Sequence, residues 1–184
     1  RPIDCVDIFK RGGLSSGVYT IQPSNRPVTV FCDMSDGGGW TVIQRRGQFG
    51  NSGYYFNRNW DEYRDGFGNK SNEYWLGNRH IFQMTKRSHK LKIILTYPDG
   101  RTEPFEYQSF QVLDRTRDYK LRLSSPSDRS DDSFFPHSGR GFATYDHPKD
   151  NECATGHSGG WWFKAPNAKK KCTGSNLNGL NLNG

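Results

Sequence analysis

The sequence predicts an α+β fold in which short antiparallel sheets and a few brief helices carry a long irregular C-terminal region. Three observations lead there. Leu, Ile, Val and Phe supply only 35 of 184 residues, the level of a disordered chain, yet the sequence also holds 5 Trp, 9 Tyr and 12 Phe. The core material is therefore aromatic, each ring burying about 150–250 Å². Next, 21 Gly and 9 Pro punctuate the chain, which excludes helical bundles, coiled coils and doubly wound sheets rich in Val, Ile and Ala. Finally, bursts of period-two alternation fill the first two-thirds and stop near Ser124.

The elements follow in order. Residues 17–21, 28–32 and 40–44 are β-branched or aromatic at every second position, separated by turn chemistry at 23–27 and 36–39, and predict a small antiparallel sheet. Asn59 caps a short helix carrying Trp60, Tyr63 and Arg64, which Gly66 and Gly68 end. A second helix starts at Asn78 with Ile81, Phe82 and Met84 on one side. Residues 91–97, the turn Pro98-Asp99-Gly100, and residues 103–112 and 119–123 predict consecutive strands of a larger antiparallel sheet. Beyond Ser124, Ser, Asp, Gly, Asn and Lys dominate around two anchors, Phe134-Phe135 and Trp161-Trp162-Phe163. Long irregular stretches of this kind carry function, so binding chemistry is expected there. With no repeat and no linker, residues 1–184 read as one domain with an N-terminal sheet (1–46), a central sheet with helices (47–125) and a loop-built subdomain (126–184).

Charge and cysteine usage narrow the function. The formal net charge of +7 favours acidic partners such as sulfated glycans or anionic surfaces. No apolar run approaches the roughly 20 residues of a membrane span, and no signal-like leader opens the chain. The expectation is a soluble segment without membrane insertion, any signal peptide having been removed. Cys5, Cys32, Cys153 and Cys172 fit no metal spacing such as C-x-x-C, and two disulfides are the simplest account. Pairing near neighbours would contribute ~3 to 4 kcal/mol each in the chain-entropy model and implies a secreted, extracellular protein. Asn69-Lys70-Ser71 is a glycosylation sequon in a Gly-rich loop.

The ordered motifs Asp4-Cys5, Phe31-Cys32-Asp33-Met34, Gly38-Gly39-Trp40-Thr41-Val42, Glu73-Tyr74-Trp75-Leu76-Gly77, Phe142-Ala143-Thr144, Gly159-Gly160-Trp161-Trp162 and Ser175-Asn176-Leu177-Asn178-Gly179 span nearly the whole chain. In these the chain resembles the fibrinogen-like domain family, the recognition domain of fibrinogen chains, ficolins, tachylectins, tenascins and angiopoietin-like proteins. The resemblance implies the family's α+β fold, the disulfides Cys5–Cys32 and Cys153–Cys172, and a further segment beyond the Asn-Leu-Asn-Gly motif, where this sequence stops at Gly184.

It also implies a calcium loop of the form D-x-D-x-D after Phe142-Ala143-Thr144. Here that stretch runs Asp146-His147-Pro148-Lys149-Asp150. Asp146 and Asp150 stand as ligands in a degenerate site, because Pro148 replaces the middle carboxylate and Lys149 adds a positive charge, while calcium needs six to eight oxygens. The family's acetyl pocket maps to His157, Trp161, Trp162 and Thr173, with core packing beside the disulfide as the competing reading of the two tryptophans. An acetyl pocket built from these residues would lack most of its apolar walls. Lys169, Lys170 and Lys171 form a candidate patch for heparin or other anionic glycans, against the plain reading of a solubilising loop.

Nucleic acid is disfavoured because no recognition helix or stacking motif is present. Ser130 to His137 brings a nucleophile and a base together on paper, but without a Gly-x-Ser-x-Gly elbow. Cys153-x-x-x-His157 with Cys172 could suggest zinc, but two disulfides account for the cysteines. The expected function is a non-enzymatic, lectin-like recognition domain of innate immunity that binds glycans or acidic microbial surface polymers through residues 146–179. The alternative is a receptor- or matrix-binding ligand domain of angiopoietin-like or tenascin type. Oligomerisation is expected only through segments outside this domain.

Overall fold

The computed structural model describes residues 1–124, 132–164 and 171–181. The chain opens with a helix that alternation alone does not reveal, α1 (Cys5–Lys10), started by Asp4, whose side chain accepts from the Asp7 N–H at 2.7 Å. The first sheet follows with order β1-β2-β3: β1 (Gly17–Ile21), β2 (Val28–Asp33) and β3 (Trp40–Val42), all antiparallel. Val28, Val30 and Cys32 point inward at period two, and the Cys5–Cys32 disulfide, with Cα atoms 5.5 Å apart, clamps α1 onto β2.

The expected strand 40–44 divides at Ile43. Its carbonyl accepts from the Leu76 N–H at 2.8 Å, and the chain passes into β4 (Gln44–Arg45), the edge of a second sheet of order β4-β6-β5 with β5 (Phe67–Gly68) and β6 (Tyr74–Trp75). Between them lies α2 (Trp60–Asp65), opened by a capping box in which Asn59 and Glu62 bond each other's backbone N–H groups. Gly66 ends it at φ 92°, and a Cβ there would sit 2.4 Å from the Leu76 carbonyl oxygen, so no other residue fits. The next helix is α3 (Asn78–Met84), as expected.

The third sheet, β7-β8-β9, comprises β7 (His89–Thr96), β8 (Thr102–Val112) and β9 (Leu121–Leu123). It has three strands like the first and is larger only in strand length. The expected strand 119–123 loses its first two residues because Tyr119 takes a left-handed conformation (φ 47°) to leave the turn at Asp118. A short helix, α4 (Glu152–Gly156), stands in the region expected to be irregular, capped by Asn151, which accepts from the Ala154 N–H at 2.9 Å.

One continuous buried cluster joins these parts. At its centre the Phe142 ring lies 5.0 Å from Tyr63, 5.8 Å from Trp75 and 5.1 Å from Trp162, measured between centroids. The loop-built C-terminal region therefore rests on the same aromatic core as α2 and β6. Among the described residues no helix is long and apolar enough to cross a membrane.

Candidate recognition site

The described residues beyond β9 hold their shape through side-chain braces rather than ladders. Asp132 Oδ1 accepts from the Phe134 N–H (2.7 Å), the Phe135 N–H (2.9 Å) and the Tyr107 hydroxyl (2.8 Å), which ties the region to β8. His137 follows in a 3₁₀ turn and is completely buried. Its Nδ1 stands 2.6 Å from the Trp162 carbonyl oxygen, and its Nε2 faces the N–H groups of Gly174 (3.1 Å) and Ser175 (3.3 Å). Amide N–H groups only donate, so Nε2 accepts and Nδ1 carries the hydrogen. The ring is therefore neutral, and burial holds its pKa below the ordinary 6.5.

The Cys153–Cys172 disulfide, with Cα atoms 5.6 Å apart, ties α4 to the returning chain, where the Lys164 N–H donates to the Cys172 carbonyl at 2.7 Å. Asn178, also fully buried, donates to the Gly160 carbonyl (3.0 Å) and accepts from Gln44 Nε2 (3.1 Å). Arg46 donates to the Gly179 and Leu177 carbonyls while its guanidinium lies 4.4 Å over the Phe56 ring. A Cβ on Gly159 would meet the Asn178 carbonyl oxygen at 1.9 Å. Two motifs distant in sequence, Gly-Gly-Trp-Trp and Ser-Asn-Leu-Asn-Gly, are thus two halves of one contact.

Trp161 and Trp162 are each 2 % exposed, so their rings form the floor of this region and do not reach its surface. Trp162 Nε1 donates to the Tyr119 carbonyl at 2.8 Å, whereas Trp161 Nε1 meets no acceptor among the described residues. His157 is half-buried beside Phe163, with ring centroids 5.6 Å apart. Thr173 is likewise half-buried, its hydroxyl donating to the Ser175 carbonyl. Lys171 is exposed, while Lys169 and Lys170 lie outside the described residues. His157, Thr173 and Lys171 thus flank the Cys153–Cys172 bridge. Asn69 is exposed, and its side-chain oxygen accepts from the Ser71 N–H at 2.9 Å.

The loop after Thr144 spends its polar groups on the fold. Asp146 Oδ1 accepts from the Trp60 N–H at the start of α2 (2.9 Å) and from the Thr144 hydroxyl (2.7 Å). The His147 ring stacks on Trp60 at 3.9 Å, and its Nε2 stands 2.9 Å from Asp118 Oδ1. Asp150 is exposed at φ 62°. Among the described residues no three His, Cys, Asp or Glu side chains gather as a metal site. One of the two expected carboxylates thus already accepts twice through one oxygen, and most of the six to eight oxygens calcium takes would have to be backbone carbonyls or water.

Catalytic and zinc readings meet equally specific obstacles. Both nitrogens of His137 are engaged with backbone groups in a sealed site, and the Ser130 proposed beside it lies outside the described residues. Cys153 and Cys172 are bonded to each other, so neither offers a thiolate.

A family model for the C-terminal globular domain of fibrinogen beta and gamma chains matches residues 1–184. The chain belongs to this family. Techylectin-5A of Tachypleus tridentatus is 41% identical to the fibrinogen-like domain over 192 residues, covering 100% of this chain and 64% of that protein. Angiopoietin-4 of Mus musculus is 41% identical over 186 residues, covering 96% of this chain and 35% of the relative. Among solved structures, the fibrinogen-like globe domain of human ANGPTL2 superposes with a TM-score of 0.87 at 38% identity, covering 98% of this chain and 82% of that one. The fibrinogen-like domain therefore spans less than two-thirds of the length of these two full-length relatives.

Proposed function

We propose that the fibrinogen-like domain is a secreted, non-enzymatic recognition module that binds glycans or acidic microbial surface polymers through its braced C-terminal region, without needing calcium. The observation that carries this reading is the bracing itself. An irregular surface around Cys153–Cys172 is held by a disulfide and by the buried side chains His137 and Asn178, so its exposed groups need little ordering when a ligand arrives. Kinship with a lectin-named relative over the whole chain supports the ligand class. Two disulfides suit an extracellular compartment. Exposed Lys171, next to Cys172, supplies positive charge beside the bridge, and Lys149 in the preceding loop is exposed as well.

Equal identity to angiopoietin-4 supports a second reading, in which the same face binds a receptor or matrix protein. The test is binding to purified bacterial cell walls in the presence of a chelator. Retention that soluble cell-wall polysaccharide competes away supports glycan recognition. Absence of retention, together with binding to a protein surface that no sugar competes, overturns it in favour of the second reading.

A further inference from the structure

A second surface lies on another part of the fold, on the loop before β2, the end of α3 and the start of β7. That loop and α3 border an open depression of about 420 Å³ lined by Ser24, Asn25, Arg26, Gln83 and Lys86. Lys86 also begins the run Lys86-Arg87-Ser88-His89-Lys90, in which every residue is exposed. Among the described residues no carboxylate pairs with Arg26, Lys86, Arg87 or Lys90, whereas Lys92 two positions on is neutralised by Asp36.

The backbone under these cations is fixed. Thr85, 4 % exposed, donates its hydroxyl to the Ile81 carbonyl (2.8 Å) and accepts from the Val112 N–H (3.0 Å). Gln111 Nε2 donates to the Lys86 carbonyl at 3.2 Å, and the Ser88 hydroxyl meets that of Ser109. His89 Nδ1 stands 2.8 Å from the Arg87 carbonyl. Several uncompensated cations on one rigid turn repel each other and attract a polyanion.

The depression adds a second requirement. The side-chain oxygen of Gln83 is enclosed and meets no donor among the described residues. An enclosed acceptor calls for a donor, and the soft terminal torsion of a glutamine lets it turn toward one. A sulfate or phosphate oxygen cannot donate, but a sugar hydroxyl can. Single-stranded nucleic acid calls for aromatic stacking platforms; here Phe82 is half-buried with Lys86 Nζ 5.5 Å from its centroid, and the exposed His89 ring stands against the Arg87 carbonyl.

We propose that this surface binds a sulfated polysaccharide, with Arg26, Lys86, Arg87 and Lys90 on the sulfates and Gln83 accepting from a sugar hydroxyl. The site is separate from the Cys153–Cys172 region and gives the module a second surface for an acidic glycan. The test measures binding of a heparin fragment against salt for the wild type and for two variants, K86Q/R87Q/K90Q and K169Q/K170Q/K171Q. All substituted positions in the first variant are exposed, so its fold is retained. Each lost contact flattens the slope of log K against log salt by roughly one, so the first variant should lose about two to three units of slope. A third variant, Q83L, should weaken heparin binding while leaving inorganic polyphosphate binding unchanged.

An unaltered slope in K86Q/R87Q/K90Q, or a loss confined to K169Q/K170Q/K171Q, would overturn the proposal. Single-stranded DNA binding more tightly than heparin, and lost in the first variant, would overturn the assignment to sulfated glycan. Cell-wall binding by K86Q/R87Q/K90Q, in which this turn is neutralised, reads the other site, so the two proposals fail separately.

Discussion

Replacing His137 probes the brace on which the candidate site depends. In His137→Ala the Trp162 carbonyl, enclosed in the core, loses its donor, a loss that costs roughly 1–3 kcal/mol. The N–H groups of Gly174 and Ser175 lose their shared acceptor, and because Gly174 is exposed and Ser175 half-buried, water recovers part of it and leaves about 1 kcal/mol. The sum, about 2–4 kcal/mol, corresponds to a melting point lowered by about 10 °C in a chain of this size. His137→Phe keeps the packing and removes the hydrogen bonds, so it isolates the polar part.

The pH dependence follows from the same geometry. The folded ring holds its pKa below 6.5, so between that lower value and 6.5 the unfolded chain binds the extra proton. This share of stability is complete above about pH 6.5 and is lost as pH falls below it. His80, pushed down to about 4 by burial and then by Arg79 and Lys70, acts in the same direction and remains in the His137 variants. The assay is urea unfolding from pH 7.5 to 4.5. A loss under 1 kcal/mol in His137→Ala, or an unchanged acid slope in His137→Phe, would refute the role given to this residue.

Two further outcomes concern the same region. The paired change Cys153→Ala and Cys172→Ala removes a bridge closing 19 residues of sequence, about 3 kcal/mol in the chain-entropy model, and should open residues 146–164 and 171–181 to limited proteolysis while the Cys5–Cys32 sheet stays protected; equal resistance would count against the bracing account. Calcium titrated into the chelated domain should give no binding heat and no shift in melting temperature, whereas Asp146→Ala should lower stability by about 1–2 kcal/mol through the lost cap on α2. Micromolar calcium binding would reverse that assignment.

What the sequence discloses and what it conceals divide along physical lines. Local signals were readable: Asn59 and Gly66 bound α2 because cap chemistry lies within a few residues, and β1, β2 and most of β8 follow their period-two patterns. The break at Ile43 was not, because it depends on a hydrogen bond from Leu76 that no local pattern encodes. α1 and α4 are too short for a helical period to emerge. In the candidate site, Asp146 reads as a metal ligand until its partner 86 residues away is known, and His137 reads as a base until both nitrogens are seen bonded to backbone. Trp161 and Trp162 show the same limit, since composition cannot tell a ligand-facing ring from one at the floor.

The most direct test of the account is the affinity of the domain for immobilised bacterial cell-wall polysaccharide in excess chelator, measured for the wild type beside the variant lacking Cys153 and Cys172. The account predicts binding by the wild type that soluble polysaccharide competes away, and at least about tenfold weaker binding by the variant, whose surface must be ordered anew on contact. No binding by the wild type, or equal binding by both, would contradict it.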